Sequence, residues 1–186
     1  MVDSLLHLIP VQIINEDRIS LEQDAAVRRL LCECFASDAG AFSVRRAWNE
    51  VRPAFSVLGW HGEKVVGQVG IIDRHITCGV VPVRVAGIQS LAVAPDWRGS
   101  GLSQRLMTTA MHEAQRRDIR FGLLFCLPKL AGFYAKLGWR PIERAVTMRD
   151  AAGRPVPLTA KNIVMELVLD GDPLPAGPID LQGRDW

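Results

Sequence analysis

The chain has 186 residues, 48% of them hydrophobic, and a formal net charge of +2 at pH 7. That length suits one domain of about 100–200 residues with a full core, and the near-neutral charge argues against a nucleic acid or an anionic membrane as partner. No apolar run reaches the length of about 20 residues that spans a bilayer. The opening MVDSLLHLIP carries an acid and no basic segment, which argues against a secretory signal. Cys32, Cys34, Cys78 and Cys126 have no second pair or histidine cluster at zinc spacing, so the expectation is no metal site and four reduced thiols in a cytoplasmic protein.

Residues 11–15 form a short apolar strand candidate. Ser20 and Gln23 stand at capping-box spacing and open a helix that runs to about Phe35. Residues 36–40 break it, and 43–51 predict a second short helix ended by Pro53. Residues 55–60 and 64–74 read as a hairpin around His61, Gly62 and Glu63, and 82–93 add a third consecutive strand. The stretch SLAVAPDWRGSGLSQRLMTTAMHEA follows the same order of events at residue scale. The strand ends at Val93, Pro95 and Asp96 stop it, a glycine loop comes next, and Leu102, Leu106 and Ala110 set a helical period. Residues 120–126 read as a buried strand parallel to 88–93 across that helix. Residues 128–137 predict another helix closed by Gly138. Then come a strand over 139–148, a turn segment over 149–157, a last strand over 162–169 and a proline- and glycine-rich tail from Asp170. The order β-α-α-β-β-β-α-β-α-β-β predicts one α/β domain, a mixed sheet with flanking helices.

Glycines let backbone approach an anion, and the first turn of a helix presents N–H groups with partial positive charge. The loop is not a dinucleotide fingerprint, because Gln104 stands where a third glycine belongs, and no GK[ST] marks a P-loop. It reads arginine–x–x–glycine–x–small: Arg98, Gly99, Ser100, Gly101, Leu102, Ser103. In this it resembles the pyrophosphate loop of the GCN5-related N-acetyltransferases (GNAT). The resemblance implies a single GNAT-like domain over residues 1–186, with a mostly antiparallel central sheet and a splayed parallel strand pair. It implies acetyl-coenzyme A as donor, its pyrophosphate on Arg98 to Ser103 and its pantetheine arm on backbone groups of Leu91, Ala92 and Val93. Tyr134 lies in FYAKLGW, which looks like the family's F-Y-x-x-x-G-[FW]; a phenol with pKa of about 10 can protonate the leaving thiolate.

The family's strand glutamate is replaced by Gln89, which can orient water or substrate but cannot take a proton. Candidates for a base are His75, Asp73, Glu143, Asp180, Asp185 and the carboxylate of Trp186, or a water chain held by Gln89 and Ser90. Cys126 has no histidine partner by spacing, so direct attack in a ternary complex is expected rather than an acyl-enzyme.

AVAPDWRGSGL, FYAKLGW, Phe35-Ala36-Ser37-Asp38 and the final Trp186 are similar, patchily, to the aminoglycoside 2′-N-acetyltransferases. This implies an antibiotic-resistance enzyme whose acceptor amine is held by Asp38, Asp185 and the Trp186 carboxylate, near Gln89 and Ser90, with the tail from residue 170 in the site. Several carboxylates are needed because each exposed ion pair contributes only about 0–1 kcal/mol. With Gln89 in place of an acid, a 2′-amino antibiotic with different rings, such as kasugamycin, fits as well as the deoxystreptamine drugs. Trp48, Trp60 or Trp186 could face a sugar ring, while Arg45, Arg46 and Arg52 would repel the ligand if they faced it. Arg46-Ala47-Trp48 and Arg52-Pro53 also resemble the nodulation-type N-acyltransferases. The valine-rich strand over 163–169 offers a surface for a homodimer. Rival readings are acetylation of another small amine or a peptide N-terminus, and a non-catalytic coenzyme A sensor.

Overall fold

A computed structural model describes residues 9–159 and 161–186. The chain divides into two compact units, one of residues up to Ile71 with Gln89–Ala110, the other of Ile72–Ile88 with Met111–Trp186. Three long elements belong to both: β3 (Lys64–Cys78), β4 (Val81–Val93) and α3 (Leu102–Arg116).

In the first unit, β1 (Val11–Asn15) pairs antiparallel with β2 (Phe55–His61), and β2 with the start of β3. The β2–β3 turn needs only Gly62 and Glu63, because Gly62 takes φ 58°, the left-handed conformation of a tight hairpin. Helix α1 (Leu21–Cys34) opens on the expected capping box: Ser20 Oγ accepts from the Gln23 N–H at 3.1 Å, and the Ser20 N–H donates to Gln23 Oε1 at 2.9 Å. Its buried residues Ala26, Val27, Leu30 and Leu31 join Ile14, Leu58, Val65 and Ala92 from the strands and Phe42 from α2 (Ala39–Phe42) in one cluster.

The helix predicted over 43–51 does not form. Residues 48–50 make one 3-10 turn with Asn49 and Glu50 at positive φ. Two long-range demands override the local period. The Trp48 ring packs edge-on against Phe35 (4.9 Å) and Phe42 (5.0 Å). Arg46 is drawn to Asp24 (2.6 Å) and Glu16 (2.6 Å) with its side chain 7% exposed.

The second unit carries the strand order β6-β9-β5-β4-β3-β10-β7-β8. Strand β5 (Phe121–Cys126) lies parallel to β4 through Val85↔Phe121, Ala86↔Gly122 and Gly87↔Leu123, as the crossover helix α3 requires. It pairs antiparallel with β9 (Ile163–Val168) along its whole length. The helix predicted over 128–137 is a 3-10 turn at Pro128–Leu130 followed by α4 (Ala131–Ala135), with Gly138 beyond it at φ 88°. The strand predicted over 139–148 is two strands, because its halves serve different partners. β6 (Arg140–Ile142) pairs with β9, and β7 (Val146–Arg149) pairs with β8 (Pro155–Pro157) and β10 (Ile179–Asp180). The predicted turn over 149–157 thus holds β8, and the tail supplies β10, antiparallel to β3 at Cys78 and Thr77. The α/β class, with a mixed, mostly antiparallel sheet and flanking helices, matches expectation.

Helix α3 buries Leu102, Leu106 and Ala110, the period predicted for it. A Cβ on Gly67 of β3 would sit 2.9 Å from side-chain carbons of both Leu102 and Leu106. Gly67→Ala is therefore expected to cost about 1–3 kcal/mol by overpacking, read as a lower denaturant midpoint at unchanged m-value.

Candidate functional site

The turn from β4 into α3 is built around the carbonyl of Val93. Arg98 Nε donates to it at 3.2 Å, and the Cys34 thiol donates to it at 3.3 Å. Ser100 Oγ donates to the Trp97 carbonyl at 2.6 Å and accepts from the Leu102 N–H at 3.4 Å. These bonds hold the loop while Gly99 and Gly101 adopt φ 75° and 86°, a region costly for residues with a Cβ. A Cβ at Gly99 would meet nothing within 4 Å, so the backbone there faces open space.

Leu91, Ala92, Val93, Arg98, Gly99, Gly101, Leu102 and Ser103 line one cavity of about 250 Å³, together with Cys34, Phe35 and Trp97. Ser100 braces the loop instead of lining it. The cavity is smaller than the roughly 300–1,000 Å³ that encloses a drug-sized ligand, and suits a diphosphate. The N–H groups of Ser103 and Gln104, in the first turn of α3, have no acceptor among the described residues. Open backbone, free first-turn amides and an adjacent arginine fit a coenzyme A diphosphate. The Val93 carbonyl already accepts from Arg98 and Cys34, while Leu91 and Ala92 also line the cavity. Burial pushes the Cys34 thiol above its usual range, which leaves it a poor nucleophile.

Gln89 and Ser90 stand at the start of this segment. Gln89 is 2% exposed, and its Nε2 donates to the Val51 carbonyl at 3.1 Å. That bond uses one N–H of its amide to hold the backbone. Ser90 takes φ 53° in mid-strand, and the buried Gln68 amide donates to its carbonyl. Its Oγ is buried with no hydrogen-bond partner among the described residues. Asp38 is exposed at the end of the Ala36–Asp38 turn and accepts from Ser37 Oγ at 3.2 Å. Trp48 is half-buried, its ring edge-on to Phe35 and Phe42 beside the core cluster, and Trp60 donates through Nε1 to Gln12 at 3.1 Å.

In the second unit Tyr134 is 8% exposed on α4, its ring edge-on to Phe133 at 5.0 Å. Trp186 is also buried. Its ring lies 5.0 Å from Phe125 and under the Arg74 guanidinium, also at 5.0 Å. It presses so closely on Gly87 that a Cβ there would stand 2.3 Å from it. Asp185 acts electrostatically on Arg74.

The proposed bases fare unevenly. Asp73 is gripped by Arg84 at 2.8 and 2.7 Å, and Asp180 by Arg149 at 2.8 Å. In each, the hydrogen bond from the arginine holds the carboxyl below its usual range, which makes it a weak base. His75 and Glu143 are exposed.

Two residues escaped the sequence reading. Cys34, expected only as one of four reduced thiols, lines the cavity. Glu166 is buried, with Oε2 unpartnered among the described residues. The visible signal was a single acid inside the apolar strand IVMELV.

Burial, with a smaller contribution from Cys126, pushes the Tyr134 phenol from 10 up to about 12. Tyr134 is the only tyrosine, so tyrosinate absorbance reads it alone. The expected midpoint in the folded protein is about 12, against about 10 in denaturant. Because the folded value is raised, the neutral phenol's contribution to stability is intact below 10 and is lost as pH rises through 12. A native midpoint at the denatured value would show the phenol to be solvated.

Comparison with known proteins places the chain among families of known fold. The acetyltransferase (GNAT) domain family matches residues 17–142. An aminoglycoside 2′-N-acetyltransferase from Mycolicibacterium fortuitum is 21% identical over 142 residues, 76% of this chain and 70% of that protein. Nodulation protein A of Bradyrhizobium elkanii is 35% identical over 80 residues, which span 42% of this chain and only 38% of that protein. Among solved structures, the GNAT family N-acetyltransferase YhbS of Escherichia coli in complex with CoA superposes with a TM-score of 0.62 at 18% identity, covering 93% of this chain and 89% of that one. An aminoglycoside 6′-N-acetyltransferase complexed with coenzyme A gives 0.60 at 18% identity, covering 87% of this chain and 99% of that one. The chain belongs to the GNAT acetyltransferase family, whose members use acetyl-coenzyme A.

Proposed function

We propose that the protein transfers the acetyl group of acetyl-coenzyme A to a primary amine of an aminoglycoside-type antibiotic, at the 2′-amino position, by direct attack in a ternary complex. The observation that carries the acceptor class is the match to an aminoglycoside 2′-N-acetyltransferase across 76% of the chain. The cavity at the β4–α3 turn supports the donor. There Arg98 and the first-turn amides of α3 would hold the diphosphate, and Leu91 and Ala92 the arm. Asp38, Asp185 and the Trp186 carboxylate are retained as candidate partners for the acceptor's ammonium groups.

Tyr134 is assigned the leaving sulfur. A phenol at about 12 faces a thiol with an ordinary pKa of about 8.5, and full proton transfer across that gap would be uphill by about 5 kcal/mol. Its role is therefore donation of a hydrogen bond that strengthens as negative charge develops on sulfur. The neutral phenol is the form that can do this, and it persists throughout the physiological range. Cys126, buried and with its thiol pushed up by that burial, takes no part.

Kasugamycin and a 2′-amino deoxystreptamine aminoglycoside, incubated with enzyme and acetyl-coenzyme A, are expected to gain one acetyl group by mass spectrometry. Neither gaining mass while another amine does would move the substrate class. The resemblance of Arg46-Ala47-Trp48 and Arg52-Pro53 to the nodulation-type N-acyltransferases implies a second reading, a longer acyl donor, which the same assay with a long-chain acyl-coenzyme A distinguishes. Tyr134→Phe should lower kcat by about 10²-fold, the low end for losing one hydrogen-bond donor to developing charge, with coenzyme A affinity unchanged. Wild-type turnover in that variant would remove Tyr134 from the chemistry.

A further inference from the structure

We propose that Glu166 is the carboxylate that receives the acceptor's ammonium, and that the indole N–H of Trp186 makes a second polar contact to the same ligand. This rests on the acetyltransferase reading above and narrows its substrate class.

The argument begins with register. Gly87 of β4, Leu123 of β5 and Glu166 of β9 form one row across three neighbouring strands, and side chains in such a row point to one face of the sheet. The Trp186 indole covers Gly87 and packs on Phe125, two residues along β5 from Leu123. Glu166 and Trp186 therefore share that face.

Both are buried, at 8% and 7% exposure, and both carry an orphan. Glu166 Oε2 and Trp186 Nε1 have no hydrogen-bond partner among the described residues. None of the ion pairs among the described residues includes Glu166. Arg140, opposite it on β6, is exposed.

A buried carboxylate without donors is unfavourable, and so is a buried N–H without an acceptor. One ligand relieves both if it brings a cation with N–H donors and, beside it, an oxygen acceptor. A primary ammonium supplies up to three donors, and a hydroxyl or ether oxygen accepts from the indole. That pairing describes an amino sugar. A plain alkylamine or a polyamine has the ammonium but leaves the indole unsatisfied. The acid missing at position 89 thus has a replacement on β9, in a strand whose other described residues are apolar.

The test is calorimetric titration of the protein, with and without coenzyme A, using kasugamycin, a 2′-amino deoxystreptamine aminoglycoside and diaminopropane. Wild type should take up an amino sugar and bind diaminopropane more weakly. Glu166→Gln should weaken amino-sugar binding by about tenfold or more. Its own thermal midpoint should not fall, and its thermal shift with coenzyme A should equal that of wild type. Amino-sugar binding by Glu166→Gln within about twofold of wild type, or no uptake by wild type, overturns the assignment. If the glutamine variant does not fold, Glu166→Asp carries the same comparison, since it keeps the charge but withdraws it by one methylene. Loss of amino-sugar binding without any coenzyme A shift in either protein would refute the acetyltransferase reading and leave Glu166 in place.

Discussion

One backbone carbonyl sets the geometry of the donor site. The Val93 oxygen is held from two directions, by Arg98 and by Cys34, at the point where a strand must become a helix. A strand end left free would let the glycine loop sample many conformations, because Gly99 and Gly101 impose little of their own. With Val93 pinned and Ser100 tied to Trp97, the loop can hold its amides outward at low entropic cost on binding. Arg98 uses its Nε–H for the pin and carries the positive charge of its guanidinium at the same loop. The same residue thus shapes the loop and supplies charge to it.

The second theme is unpaired polarity. More than nine in ten buried polar groups in native proteins find partners, yet Ser56, Ser90, Arg149, Glu166 and Trp186 each carry an orphaned atom here. They are not equivalent. A serine hydroxyl is the cheapest to strand, and Arg149 still bonds Asp180 through its other nitrogen. A carboxylate in an apolar strand is the costly case. Nothing in packing explains its retention, whereas a cationic ligand would. Ser90 is distinguished differently, by a left-handed φ in mid-strand, the kind of strain that clusters near functional sites.

Much of this was legible in the chain itself. The capping box at Ser20, the hairpin at Gly62, the α3 period and the strand–glycine–helix order are local signals, decided by neighbours within a few residues. The loop residues that line the cavity could be picked out for the same reason. The helix predicted over 43–51 failed because Trp48 and Arg46 answer to distant partners, Phe35, Phe42, Glu16 and Asp24. The single strand predicted over 139–148 became two because β9 and β8 claim different halves of it.

By itself, then, the amino-acid order determined the class of fold, the glycine loop between a strand and a helix, and the family to which the chain belongs. Hydrogen-bond capacity, chain stiffness and periodicity are properties of short segments, so they survive without coordinates. Tertiary structure alone decided which side chains remain available. It committed the Gln89 amide to Val51, neutralised Asp73 and Asp180 with arginines, and buried Trp186 against Gly87. It also left Glu166 Oε2 without a hydrogen-bond partner among the described residues. Burial and pairing arise from residues far apart in the chain that fold against one another, and no local pattern encodes which polar atoms that folding will leave unpartnered.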